Sequence, residues 1–148
     1  MKRIATKYVA IAHRKTSLTT KWMLPSAFVA SAVSGIGLHI AGHGTSHEVW
    51  HNWAVAHVLS SLVWLISVAC HIKRHRHWYK SIVSKGIGKK SPLTLVLSAV
   101  FLIVTGTGIV LMTCVDGANS PVGLWHYKIG GLLIILCFLH ICIRKRKR

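Results

Sequence analysis

Four stretches of about 20 residues each are almost wholly apolar: 22–41, 53–71, 92–114 and 121–143. As α-helices rising about 1.5 Å per residue, each is long enough to cross roughly 30 Å of hydrocarbon. A helix closes its backbone hydrogen bonds within itself, as a bilayer interior demands of any spanning segment. The pattern predicts an all-α integral membrane protein, a four-helix up-and-down bundle over 22–143, between an N-terminal tail (1–21) and a C-terminal tail (144–148).

Charge then orients the bundle. The tail before residue 22 holds Lys2, Arg3, Lys7, Arg14, Lys15 and Lys21. The second loop holds Lys73, Arg74, Arg76, Lys80, Lys85, Lys89 and Lys90, and the chain closes on Arg144-Lys145-Arg146-Lys147-Arg148. Lys128 alone of the 19 Lys and Arg falls elsewhere, while both acids, Glu48 and Asp116, sit in the first and third loops. Cationic loops stay on the cytoplasmic side, so both termini and the second loop are expected there. A net charge of +17 would point to nucleic acid in a soluble protein. Here it is fenced between apolar spans, which assigns it to topology and excludes a nucleic-acid partner.

The first span is too long for a signal-peptide apolar region and no soluble domain follows it, so it is read as retained. The tail before it, basic with Ile4, Tyr8, Val9 and Ile11, is expected to be a solvated anchor, with an inner-leaflet-bound helix as the alternative.

Histidines supply the candidate chemistry. His57 and His71 are 14 residues apart in the second span, and His126 and His140 are 14 apart in the fourth. Fourteen helical steps of about 100° end about 40° short of four turns, so each pair lies near one face, separated by about 21 Å along the axis. Spans two and four run the same way in an up-and-down bundle. His57 is then level with His126 on the outer side, and His71 with His140 on the inner side. Two imidazoles at each of two depths is the arrangement that holds two stacked b haems, with six-coordinate iron suited to electron transfer. A single intramembrane histidine would equally serve a helix–helix hydrogen bond or a proton path.

Small residues sit at the outer depth. Ser31, Ser34, Gly35 and Gly37 in span one, Gly106 and Gly108 in span three, and Gly130 in span four either let helices approach closely or leave room for a flat macrocycle. The first outer loop carries His39, His43, His47, Glu48 and His51. It reads as a lid over an outer cofactor, as a Zn or Cu site, or as a solvated polar cap. His39 rivals His57 and His126 as an outer ligand. Glu48 and His47 are where a quinone site is first sought. Lys128 either neutralises a haem propionate or snorkels to the outer headgroups; lying about 200° around the helix from His126, it is expected to do the latter.

On the inner side, Trp78, Tyr79, Ile82 and Val83 among lysines predict a short interfacial helix. His75 and His77 are read as solvated. Ser91-Pro92 starts the third span, and the stretch 116–121 is a tight turn. Cys70, Cys114, Cys137 and Cys142 form no C-x-x-C and are read as free apolar fillers. No phosphate loop, nucleophile triad or carboxylate pair gives hydrolytic chemistry a footing.

The runs His47-Glu48-Val49-Trp50-His51-Asn52-Trp53-Ala54-Val55-Ala56-His57, Trp78-Tyr79-Lys80, Lys85-Gly86-Ile87-Gly88-Lys89-Lys90 and Asp116-Gly117-Ala118-Asn119-Ser120-Pro121-Val122-Gly123-Leu124-Trp125-His126-Tyr127-Lys128 resemble the flavinylation-associated cytochromes. These are small four-helix membrane proteins of bacteria and archaea, and the likeness spans about residues 23–143. It implies haem b bound by His57, His71, His126 and His140, a prokaryotic cytoplasmic membrane, and electron transfer to extracytosolic flavoproteins. The expected function is therefore a di-haem b-type cytochrome working between the quinone pool and an outer acceptor. A histidine-lined metal or proton transporter and a membrane anchor for a redox complex are the alternatives.

Overall fold

A computed structural model describes residues 2–85, 92–114 and 120–146, with side chains from residue 22 onward except at 83, 85 and 145. The expected turn at 116–119, the loop residues 86–91 and the last two residues lie outside that range. Among the described residues there are five helices and no strand: α1 Lys2–Ala41, α2 His47–Arg74, α3 Arg76–Lys85, α4 Pro92–Thr113 and α5 Pro121–Arg146. Four of them contain segments long and apolar enough to cross a membrane: Trp22–Ala41, His47–Arg74, Pro92–Thr113 and Pro121–Arg144. The chain is a multi-pass helical membrane protein.

Two boundaries differ from the hydropathy reading. The N-terminal tail is helical and continuous with the first span, so α1 is 40 residues long. At the other boundary, α2 starts at His47, six residues ahead of the apolar run. The Ser46 side chain caps it by accepting from the Val49 amide at 3.4 Å, which satisfies one of the orphan donors of the first turn. Glu48 in that turn meets the positive end of the helix dipole. His47, Glu48, Trp50 and His51 therefore belong to a helix, and the outer loop shrinks to 42–46. His75 closes α2, its amide donating to the carbonyls of His71 and Ile72.

The helices pack as two hairpins, α1 along α2 and α4 along α5, with α1 also meeting α5. Serines line the first hairpin: Ser31 Oγ lies 2.8 Å from Ser61 Oγ, and Ser34 Oγ 3.0 Å from Ser60 Oγ. Gly37 lies under the Trp53 ring, where an added Cβ would sit 2.5 Å from it. Small residues thus serve helix approach here, as is usual where lipid offers no hydrophobic drive. An aromatic chain joins three helices: Phe28 to Trp64 at 5.5 Å, and Trp64 to Phe101 edge-on at 5.2 Å. Val100, Phe101 and Leu133 form the buried centre, with Trp64, Leu65, Val68 and Cys137 packed on it.

Little else is buried. Leu102, Phe138, Ile40 and Ile66 are each more than half exposed, an apolar surface far beyond what a water-soluble monomer carries. Lipid is its natural covering. α3 is held at one edge by the Tyr79 hydroxyl, 3.0 Å from Ser98 Oγ on α4.

Candidate functional site

His57 on α2 and His126 on α5 face each other with ring centres 6.2 Å apart and planes at 76°. Each ring is fixed by the helix that precedes its own. Across α1–α2, His57 Nδ1 lies 3.1 Å from the Ser31 carbonyl and 3.4 Å from Ser34 Oγ. A carbonyl only accepts, so Nδ1 carries the proton and Nε2 is left with a lone pair. Across α4–α5, His126 Nδ1 lies 2.9 Å from Thr107 Oγ1. The Thr107 hydroxyl faces the Ile103 and Val104 carbonyls at 3.0 Å each and donates its one hydrogen there. It is therefore free to accept from His126 Nδ1–H. Both imidazoles present an unprotonated Nε2, the form that ligates metals, and each is oriented by an outer partner in the usual way.

Glycines make this packing possible. A Cβ on Gly35 would fall 2.9 Å from His57 Cε1, and one on Gly108 would fall 3.2 Å from His126 Cε1. The two hairpins repeat one device: a polar group on the first helix, a glycine beside it, and a histidine ring from the second helix laid over that glycine. Gly106 is exposed with open space around it, so Gly108 takes the place beside His126. Gly130 also has no neighbour within 4 Å of an added Cβ, and it lines the cavity described next.

His57 and His126 open on a cavity of about 670 Å³, within the range of about 300–1,000 Å³ typical of small-molecule and cofactor sites. Its walls are mainly apolar. Trp64, Phe101 and Leu133 line it together with Gly35, Gly108 and Gly130, which add no side-chain bulk, and with Trp50, Tyr127 and Lys128. Lys128 thus lines the cavity despite its angular offset from His126, and its Nζ stands 5.8 Å from the Trp125 ring centre.

A porphyrin iron is a demanding test of this geometry. With metal–imidazole bonds of about 2.0–2.1 Å and ring centres about 1.1 Å behind the nitrogens, two imidazoles that held one metal ion would have centres at most about 6.3 Å apart. The observed 6.2 Å meets that limit. The apolar walls, the glycines and one lysine suit a flat apolar ligand bearing carboxylates. Among the described residues, no group of three or more His, Cys, Asp or Glu side chains gathers into a metal site. A haem iron takes only two protein ligands, the porphyrin supplying the other four.

The other histidines are placed differently. His39 stacks on Tyr127 with centres 3.7 Å apart and planes at 13°, and its carbonyl accepts from His43 Nδ1 at 2.8 Å. His47 and His51 stack along the first turns of α2, 6.4 Å apart. At the inner end, the His71 ring lies 4.7 Å from His75. His140 and Arg144 are within electrostatic reach of His71, but His71 and His140 do not border the outer cavity. Sequence reasoning missed Thr107, Tyr127 and Trp50. A hydroxyl residue at the depth of a ligating histidine was the available signal for Thr107.

Compared with protein-family models, curated proteins and solved structures, the chain finds no match in any of the three.

Proposed function

We propose that this protein is a b-type membrane cytochrome that carries electrons across the bilayer, with His57 and His126 as the axial ligands of an outer haem. The observation that carries the reading is the facing His57–His126 pair at 6.2 Å, each ring with its Nδ1 proton engaged. His71 and His140, one histidine spacing further along the same two helices, are the ligands proposed for an inner haem. The frame is a four-helix up-and-down bundle with both termini in the cytoplasm, in a prokaryotic cytoplasmic membrane.

A haem held by two imidazoles supplies one-electron transfer, with no open position for oxygen. The protein's part is to fix ring orientation through the Ser31 carbonyl and Thr107, and to exclude water with Trp64, Phe101 and Leu133. Lys128 offers a cation to a carboxylate at the outer mouth. The resemblance to flavinylation-associated cytochromes supports an extracytosolic flavoprotein as redox partner, with the quinone pool or another inner donor on the opposite side of the exchange.

Purified protein should be red, with a reduced-minus-oxidised spectrum of low-spin haem b and two haems per chain. Colourless protein that binds zinc would replace this reading with a histidine-lined metal transporter.

A further inference from the structure

α2 begins with the run His47-Glu48-Val49-Trp50-His51, whose two histidines take no part in the His57–His126 pair. H-E-x-x-H on a helix sets two histidines four residues apart, on one face and one turn from each other, the spacing by which a helix chelates zinc. Hydropathy alone places these residues in a loop, where the spacing would carry no geometry. The Ser46 cap starts α2 at His47, so the helix that the pattern requires is present.

The His47 and His51 rings share that face, with centres 6.4 Å apart and planes at 29°. Two imidazoles on one tetrahedral metal ion, with bonds of about 2.0–2.1 Å, have centres about 5 Å apart. Both residues are exposed and Cβ atoms at i, i+4 are about 5–6 Å apart, so side-chain rotation covers the difference. Glu48 adds one negative charge beside the pair. Every Lys and Arg of α1 and α2 lies at the opposite end of that hairpin, so no cation on those two helices competes with a bound metal. The neighbouring His43 is committed elsewhere: its Nδ1 donates to the His39 carbonyl at 2.8 Å. His47 also stacks on Trp50 at 5.7 Å, and Trp50 lines the cavity. The pair thus stands one indole from the outer cavity. A hydrolytic zinc centre takes three protein ligands, and among the described residues no group of three gathers.

We propose that His47 and His51 form a binding site for a divalent transition-metal cation at the outer end of α2, with water completing the coordination. Two imidazoles select the zinc, copper and nickel class over magnesium or calcium, which take oxygen ligands. The site is separate from His57 and His126, and it stands whether or not those two hold haem.

Zinc uptake by the untagged full chain in detergent is measured by equilibrium dialysis, with the absorption spectrum recorded on the same samples. His47→Gln and His51→Gln should each weaken zinc binding about tenfold or more, since each removes one of two protein ligands. His43→Gln should bind zinc as the parent does, and all three variants should keep the parent's spectrum. Zinc should also slow amide hydrogen exchange in the first two turns of α2, because the ion clamps one turn to the next. A colourless chain whose zinc uptake still needs His47 and His51 would support the site while the haem reading fell. Equal losses in His43→Gln would overturn the site in favour of a diffuse histidine cluster. Zinc binding lost only in His57→Ala or His126→Ala would overturn it in favour of the cavity. Haem lost from His47→Gln or His51→Gln with zinc uptake unchanged would overturn it in favour of a part in holding the outer cofactor.

Discussion

The Ser31 carbonyl accepts the Nδ1 proton of His57 at 3.1 Å across the α1–α2 interface, and Gly35, one turn further along α1, leaves the ring its space. The contact sets both the tautomer and the position of a histidine inside an apolar span, where an uncommitted imidazole would be costly.

Gly35 is therefore a position at which one methyl group matters. Gly35→Ala would press Cβ to within 2.9 Å of His57 Cε1, and Gly35→Val would force the ring aside. The expected outcome is loosened outer haem in the first variant and its loss in the second, read as haem content per chain. Gly106→Ala, on an exposed face away from the cavity with nothing within 4 Å of the added Cβ, should keep both haems.

Thr107 acts on His126 through one hydrogen bond of 2.9 Å. Thr107→Val keeps the shape and removes the acceptor. Loss of such an outer partner lowers metal affinity by about 10–100-fold, so haem transfer to an apo-globin acceptor should quicken in that variant and not in Thr107→Ser. A less basic imidazole stabilises ferric iron less, so the midpoint potential of the outer haem should rise.

Trp64 lies seven residues from both His57 and His71, and its ring meets Phe28 and Phe101. Trp64→Ala should destabilise the fold by about 3 kcal/mol, the low end of the range for such truncations in soluble cores. Lipid rather than water replaces the lost contacts, which favours the low end. Unfolding in mixed detergent checks the value. The His57–His126 distance should be kept, since their anchors lie on the hairpin interfaces.

Much of this was legible in the chain. Four apolar runs marked four spans because length and charge exclusion alone decide membrane crossing. The equal histidine spacing put His57 level with His126, since a helix converts sequence distance into depth. Helix starts were less legible: His47 to Asn52 are polar, and hydropathy reports what touches lipid rather than where a helix continues under a Ser46 cap. The anchors were hidden for another reason. A backbone carbonyl such as that of Ser31 leaves no mark in the sequence. Gly106 and Gly108 point about 200° apart, and only packing shows that Gly108 meets His126. His39, a rival ligand by position, is stacked on Tyr127.

The most direct measurement is the haem content and low-spin electron paramagnetic resonance spectrum of His57→Ala and His126→Ala beside the parent protein and His39→Ala. Each of the first two variants should lose the same one of two low-spin signals and one haem per chain, while His39→Ala keeps both. Two intact low-spin signals in either His57→Ala or His126→Ala would contradict the account.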